Sequence, residues 1–317
     1  MDYVKKLKLT VSTEITVLIA YIIIFAVFAV ISPYFFTLNN IINIFLYSSV
    51  IGVCATGMTM VLISGGIDIS IGSTIALSGM VAGLSLGGGV PVWAAIVLAL
   101  LTGLACGAVN GFLISKMRIL PLITTLATMS IFRGTAMLTT NGLSKLIGNK
   151  AFNWLGRGYA FNLVPYCVVI MIAMFVLFYY ILRFTPFGRK VYSVGGNPEA
   201  SRLAGINVKR VRFFVYMIVG LMAGLSGAIT ASQTGTAIPS AGMGAEMDVI
   251  GAVVLGGTSL TGGRGSIWGT LLGVLILATL QNGLTLMNVM SFWQTIAKGI
   301  VLIIAVMLDV MRGGGYE

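Results

Sequence analysis

The sequence predicts an all-α integral membrane fold of about ten transmembrane helices, with an internal duplication and one short helix on the cytoplasmic side. Three observations carry that prediction. Of 317 residues, 58% are apolar and only 9% are charged, where a soluble domain carries about 25% charged residues. Mean hydropathy is +1.04, and the apolar residues gather into runs of the length a bilayer requires, about 20 residues per helix. The net charge of +11 is sorted by position rather than spread along the chain. A chain with so little polar surface is not a soluble enzyme.

Between its breakers the chain offers spans near 15–31, 41–63, 70–88, 92–114, 121–140, 161–182, 211–234, 247–262, 266–287 and 291–310. Lys5, Lys6 and Lys8 precede the first run as in a signal peptide, but no small-residue cleavage site follows it. The run ends at Ser32-Pro33-Tyr34, with aromatics suited to an interface, and is read as a retained helix. Gly103, Gly107 and Gly111 recur at four-residue spacing, as do Gly220 and Gly224, with Gly227 three later. Such ridges of small residues let helices approach closely. The whole of 1–317 is read as one transmembrane domain, with halves of roughly 1–160 and 161–317.

With a cytoplasmic N-terminus and ten alternating spans, 14 of the 19 basic residues fall inside: Lys5, Lys6, Lys8, Lys116, Arg118, Arg183, Arg189, Lys190, Arg202, Lys209, Arg210, Arg212, Arg264 and Arg312. Lys145, Lys150 and Arg157 fall outside, while Arg133 and Lys298 lie within spans. The positive-inside rule then places both termini in the cytoplasm of a multi-pass protein in a bacterial plasma membrane. The charge belongs to the membrane, not to a nucleic acid.

The chain has no histidine, which excludes serine–histidine hydrolases and histidine-ligated metal sites. Cys54, Cys106 and Cys167 lie far apart in apolar runs and read as core residues. No catalytic residue and no metal site is expected.

One segment repeats. Gly65-Gly66-Ile67-Asp68-Ile69-Ser70-Ile71-Gly72-Ser73 is echoed by Gly256-Gly257-Thr258-Ser259-Leu260-Thr261-Gly262-Gly263-Arg264-Gly265-Ser266. Paired glycine-interrupted segments in two halves of a transporter point to the substrate path. Glycines free the backbone from the helix, leaving amides and carbonyls for protein or water to satisfy. Asp68 followed by Ser70 reads as the start of the next helix, with a carboxylate near its positive end. Two tight turns at the membrane surface are the simpler reading. The span count gives both copies one orientation, whereas a five-helix duplication inverts them; the sequence is compatible with either.

The longest cytoplasmic segment, 183–212, carries seven basic residues and a single acid, Glu199. Asn197 suits an N-cap, Pro198 the first helical position and Glu199 the positive helix end. Gly205 suits the left-handed residue after the helix. This punctuation predicts about two turns of helix through Ala200, Ser201 and Arg202. So short a helix is marginal alone and needs something to dock on.

Thr185-Pro186-Phe187-Gly188-Arg189, Gly195-Gly196-Asn197-Pro198-Glu199-Ala200 and Ala204-Gly205-Ile206 resemble the cytoplasmic coupling segment of permeases in sugar ATP-binding cassette (ABC) importers. The Gly65–Ser73 segment resembles the same family, as do Thr124-Leu126-Thr128-Met129-Phe132-Arg133-Gly134, Leu255-Gly256-Gly257-Thr258-Ser259-Leu260, Asn282-Gly283-Leu284 and Gln294, Lys298 and Gly299. The likeness spans about 37–310 and is nearest to ribose-type permeases; Ile69 and Ile71 stand where the family more often has leucine and valine. The resemblance implies a permease subunit, homodimeric or paired, of about ten helices. An extracytoplasmic sugar-binding protein delivers a monosaccharide, and cytoplasmic ATPase subunits carry ATP and magnesium and grip 198–204. The chain itself has no Gly-x4-Gly-Lys-Ser/Thr phosphate loop.

Polar groups inside spans are functional candidates by default. Asp68, Ser70, Asn110, Gln281 and Asn282 are the pathway candidates, with interhelical hydrogen bonding the competing reading for the amides. Arg133 and Lys298 read as paired or snorkelling structural residues. The polar stretches 141–160 and 235–246 are expected to form the outer face that receives a binding protein. A proton- or sodium-driven secondary transporter is the alternative function, disfavoured because titratable groups in mid-span are scarce.

Overall fold

The computed structural model describes residues 13–161 and 163–313, so the lysines at 5, 6 and 8 lie outside the described residues. Among the described residues, six helices are long and apolar enough to cross a membrane: α1 (Thr13–Ile31), α2 (Leu38–Ile63), α4 (Val92–Ser115), α7 (Tyr166–Phe184), α10 (Val208–Thr234) and α12 (Ile267–Leu286). Between them lie α3 (Ile71–Gly87), α5 (Pro121–Leu138), α11 (Ala245–Leu255) and α13 (Ser291–Gly313). Each predicted span thus has a helix at its place.

The difference is at 247–262. The sequence expects one span there, but α11 has 11 residues and stops at Leu255. At about 1.5 Å per residue it reaches about 16 Å, half the hydrocarbon thickness. The Gly256-Gly257 pair breaks it, and the chain runs without helix to Ser266.

The helix α2 forms the centre and is almost wholly buried from Ser48 to Ile63. It packs on α7, α10, α11 and α12, and the largest apolar core joins them through Met58, Leu62, Phe175 and Tyr216. By contrast α1 stands at the rim.

α4 and α10 run antiparallel along the glycine ridges. A Cβ on Gly103 would lie 2.3 Å from the Gly220 carbonyl oxygen, and one on Gly107 2.2 Å from that of Tyr216. The ridges are packing surfaces, as their spacing indicates.

At one end of the bundle, β1 (Lys145–Leu146) pairs antiparallel with β4 (Thr236–Ala237), and β2 (Tyr159–Ala160) with β3 (Val164–Pro165). The short helix α6 (Lys150–Arg157) lies beside them. Its Gly156 N–H donates to Ser232 Oγ at 2.7 Å, and Arg157 donates to the Gln233 carbonyl at 2.7 Å. The 141–160 stretch therefore meets residues 235–237 on one face, whereas Gly242 packs against Gly72 in the first turn of α3. At the opposite end lie α8 (Pro186–Gly196) and α9 (Pro198–Leu203).

Candidate functional site

The α9 end gathers most of the residues the sequence marks. α2 stops there at Ile63, α8 ends at Gly195-Gly196, and the 256–266 loop folds across both. The Gly263 N–H donates to the Ile63 carbonyl at 2.8 Å. A Cβ on Gly195 would lie 1.6 Å from that same carbonyl oxygen and 2.7 Å from the Gly263 nitrogen. Only glycine fits where three backbones meet.

Tyrosines tie the arrangement together. Tyr192 on α8 donates to the Gly265 carbonyl at 2.8 Å, and Tyr216 on α10 donates to the Ile67 carbonyl at 3.0 Å. Burial pushes the Tyr192 pKa above its ordinary value, which keeps that hydroxyl a donor. Gly65 and Gly257 adopt positive φ (76° and 85°), Gly66 faces Tyr216, and Gly256 packs on Gly269 of α12. The two copies of the glycine echo thus touch at one end, so α2 and α11 run in the same sense. This local echo is parallel rather than inverted.

The 197–206 segment follows its punctuation. Asn197 closes α8 and caps α9, its side chain accepting from the Ala200 N–H at 2.9 Å, with Pro198 at the first position. At the far end Ile206 N–H reaches the Ser201 carbonyl at 2.9 Å and Gly205 N–H that of Arg202 at 3.0 Å, with Gly205 at φ 80°. These two bonds form the Schellman closure that a left-handed glycine permits.

The docking that so short a helix requires is supplied by α8. Buried Ser201 shares a 2.8 Å hydrogen bond with Ser193. Glu199 and Arg202 pair at 2.8 Å on the outer face, beside Leu203, which is 84% exposed.

Asp68, Ser70 and Asn110 form a sealed polar knot between α2, α3 and α4. Asp68 Oδ1 accepts from the Ser70 N–H at 2.8 Å and its hydroxyl at 2.6 Å. Asn110 donates to Ser70 Oγ at 2.8 Å and to Asp68 Oδ2 at 3.4 Å. All three are buried, and Asn110 Oδ1 has no partner among the described residues. The Ser70 side chain makes no cap bond to α3, and Asp68 holds the helix start indirectly, by fixing Ser70 through its N–H and hydroxyl.

Gln281 and Asn282 lie near the other end of α12. Asn282 and Asn40 exchange reciprocal amide bonds of 2.9 and 2.8 Å. Replacing either with alanine strands the other, so a double-mutant cycle read by thermal unfolding is expected to give a coupling of about 0.6–1.7 kcal/mol. Additive effects would show the pair to be energetically idle.

Gln281 bonds the Tyr47 hydroxyl within a cluster the sequence did not assemble. There Lys298 Nζ sits 2.8 Å from Asp248 Oδ2 and 3.3 Å from the Tyr47 hydroxyl. Lys298 is thus paired, and Arg133 is spent on the Pro239 and Ala241 carbonyls at 3.0 and 2.6 Å. The sequence reading also missed α8, although Thr185 before Pro186 is a helix start, and Thr185 accepts from the Gly188 N–H at 3.2 Å.

Comparison with known proteins gives this architecture a family. The family described as "branched-chain amino acid transport system / permease component" matches residues 40–306. The ribose import permease protein RbsC of Escherichia coli (strain K12) is 44% identical over 296 residues, 92% of each chain. That of Bacillus subtilis (strain 168) is 44% identical over 290 residues, 90% of this chain and 89% of its own. The L-arabinose ABC transporter permease protein AraH of Azospirillum brasilense is 40% identical over 296 residues, 93% of this chain and 87% of its own. No solved structure matches the chain. A matched region that takes in the glycine loops, the α8–α9 segment and nearly all of the helices places the chain in this family of transport-system permease components.

Proposed function

We propose that the chain is the permease subunit of an ABC importer that carries a monosaccharide, ribose or a similar pentose or hexose, across a bacterial plasma membrane. The observation that carries the sugar assignment is the 44% identity to ribose import permeases over nine-tenths of the chain. Ten crossings, nine made by helices and the tenth by the non-helical 238–244 together with the half-length α11, put both termini and the α9 end in the cytoplasm. The face where 141–160 meets 235–237 then receives an extracytoplasmic sugar-binding protein.

Asn197, Pro198, Glu199, Ala200, Ser201, Arg202 and Gly205 form the contact with a cytoplasmic ATPase subunit, which carries the ATP and magnesium. The exposed Glu199–Arg202 pair and Leu203 support that reading, because the helix docks on α8 through Ser201 and leaves them on the outside. The permease works as a homodimer or as one of a pair, with the path beside its axis. Asp68, Ser70 and Asn110 border the inner end of that path and set the start of α3, while Gln281 and Asn282 border the outer end. Gly65, Gly66, Gly256 and Gly257 let both loops leave their helices there.

The test is uptake of labelled ribose and arabinose by cells with and without the ATPase subunit. Uptake is expected only with it; uptake that persists without it would make the protein an ion-coupled transporter instead. Locally, Glu199→Lys with Gly205→Val reverses a charge on the docking face and puts a β-branched residue at φ 80°. Uptake is expected to fall about tenfold or more, as when a centrally placed docking contact is lost. The amount of permease in the membrane should stay near normal, because the face is exposed. Normal uptake by that variant would remove the segment from coupling.

A further inference from the structure

At the α9 end a cavity of about 570 Å³ opens between α1, α7, α8 and α12. Arg183, from the last turn of α7, and Arg189, on α8, line it. Neither arginine has a carboxylate partner among the described residues, whose ion pairs are Glu199–Arg202 and Asp248–Lys298. The cavity contains one acid, Glu14, and its carboxylate is engaged by the Ser266 hydroxyl. Two arginines and one carboxylate therefore line the space, which leaves it an excess of one positive charge.

The remaining wall is aromatic. Tyr179 and Trp268 pack with ring centroids 5.5 Å apart, and Trp268 is 41% exposed. Trp and Tyr at such a level mark the boundary between hydrocarbon and headgroups, and α7 passes from apolar sequence to Arg183 there. A guanidinium fork matches the oxygens of a phosphate two at a time. A small hydrated anion would need neither the aromatic wall nor so large a space. Phosphate oxygens joined to a glycerol and acyl chains would use the arginines and the aromatics together.

We propose that this cavity binds the phosphate of an anionic phospholipid headgroup, with Arg183 and Arg189 as its ligands and Tyr179 and Trp268 against the glycerol backbone. The site lies between the start of α8, which leads through Gly195 into α9, and the start of α12, which follows the second glycine loop. A bound lipid bridges the two segments that meet at Ile63. Basic pockets between membrane helices on the cytoplasmic side select anionic headgroups in this way.

The experiment uses the full chain, purified and delipidated in detergent, with native mass spectrometry of phosphatidylglycerol and phosphatidylcholine carrying identical acyl chains. Phosphatidylglycerol is expected to bind more tightly by at least tenfold, with each Arg→Gln change at 183 or 189 weakening it about fivefold. Arg183→Lys/Arg189→Lys keeps the charge without the fork and should fall between. An unchanged preference in Arg183→Gln/Arg189→Gln would overturn the proposal, as would equal binding of the two lipids. Inorganic phosphate that displaces the lipid at equal concentration would overturn the lipid assignment in favour of a free-anion site. If the double variant does not purify as a folded protein, the single variants decide by the same fivefold criterion.

Discussion

Gly195→Ala is expected to abolish most uptake, and Gly196→Ala, one residue on, to leave it near normal. The first methyl group would arrive 1.6 Å from the Ile63 carbonyl oxygen and 2.7 Å from the Gly263 nitrogen, whereas nothing lies within 4 Å of the second. Both obstacles are backbone, so no rotamer relieves them; α8 must separate from α2 and from the 256–266 loop. That parts the Gly263–Ile63 hydrogen bond, and overpacking of this kind costs about 1–3 kcal/mol. The loss falls on the contact that links the α8–α9 segment to both glycine loops. A shift there is therefore expected to disconnect the segment from the loops before it unfolds the bundle. The measurement is uptake per molecule of membrane-inserted permease, alongside ATPase activity of the assembled complex. The expected pattern for Gly195→Ala is hydrolysis retained with uptake reduced about tenfold, a change of about 1.4 kcal/mol in the coupled step. Equal uptake by the two variants, in either direction, would show that this three-way backbone contact does not transmit anything.

What the sequence made legible, and what it left hidden, follows from how far each signal reaches. The helices were readable because a bilayer imposes length and apolarity on each one separately. Helix α9 was readable because Asn197, Pro198 and Gly205 are local punctuation, each acting within four residues of itself. The ridges at 103–111 and 220–224 were readable as close-packing faces, although not as partners of each other. The junction was not readable. Gly195 meets Ile63 and Gly263 across separations of more than 60 residues, and nothing in a Gly-Gly pair says which backbone it will touch. The same holds for Lys298: it was visible as a costly group within a span, but its pairing with Asp248 is a product of how α11 packs against α13. The truncation of α11 was signalled by Gly256-Gly257 and by the single apolar residue, Leu260, among 258–265, so a span drawn to 262 runs past a break that the local sequence marks.

Asp68 separates two roles that the geometry allows, and its variants are expected to differ sharply. Asp68→Ala removes the acceptor for the Ser70 N–H, the Ser70 hydroxyl and the Asn110 amide in a place sealed from water. Each buried donor left unmatched costs about 1–3 kcal/mol, so a loss of about 3 kcal/mol or more is expected, read as a large fall in the thermal midpoint in detergent. Asp68→Asn keeps one oxygen for both Ser70 donors but turns an amide nitrogen toward Asn110. Asn110 can meet that group by rotating its own amide, but its Nδ2 then gives up the Ser70 Oγ bond and enters the position where Oδ1 has no partner among the described residues. The conservative variant strands one donor where Asp68→Ala strands three, so a loss of about 1–3 kcal/mol is expected, with uptake retained. If Asp68→Ala proves as stable as the parent, the knot does not fix α3. If Asp68→Asn folds normally yet loses uptake, the carboxylate itself meets the substrate, and Asp68 lines the path as well as bordering it. The two assays together assign the residue, since stability reports the helix start and uptake reports the path.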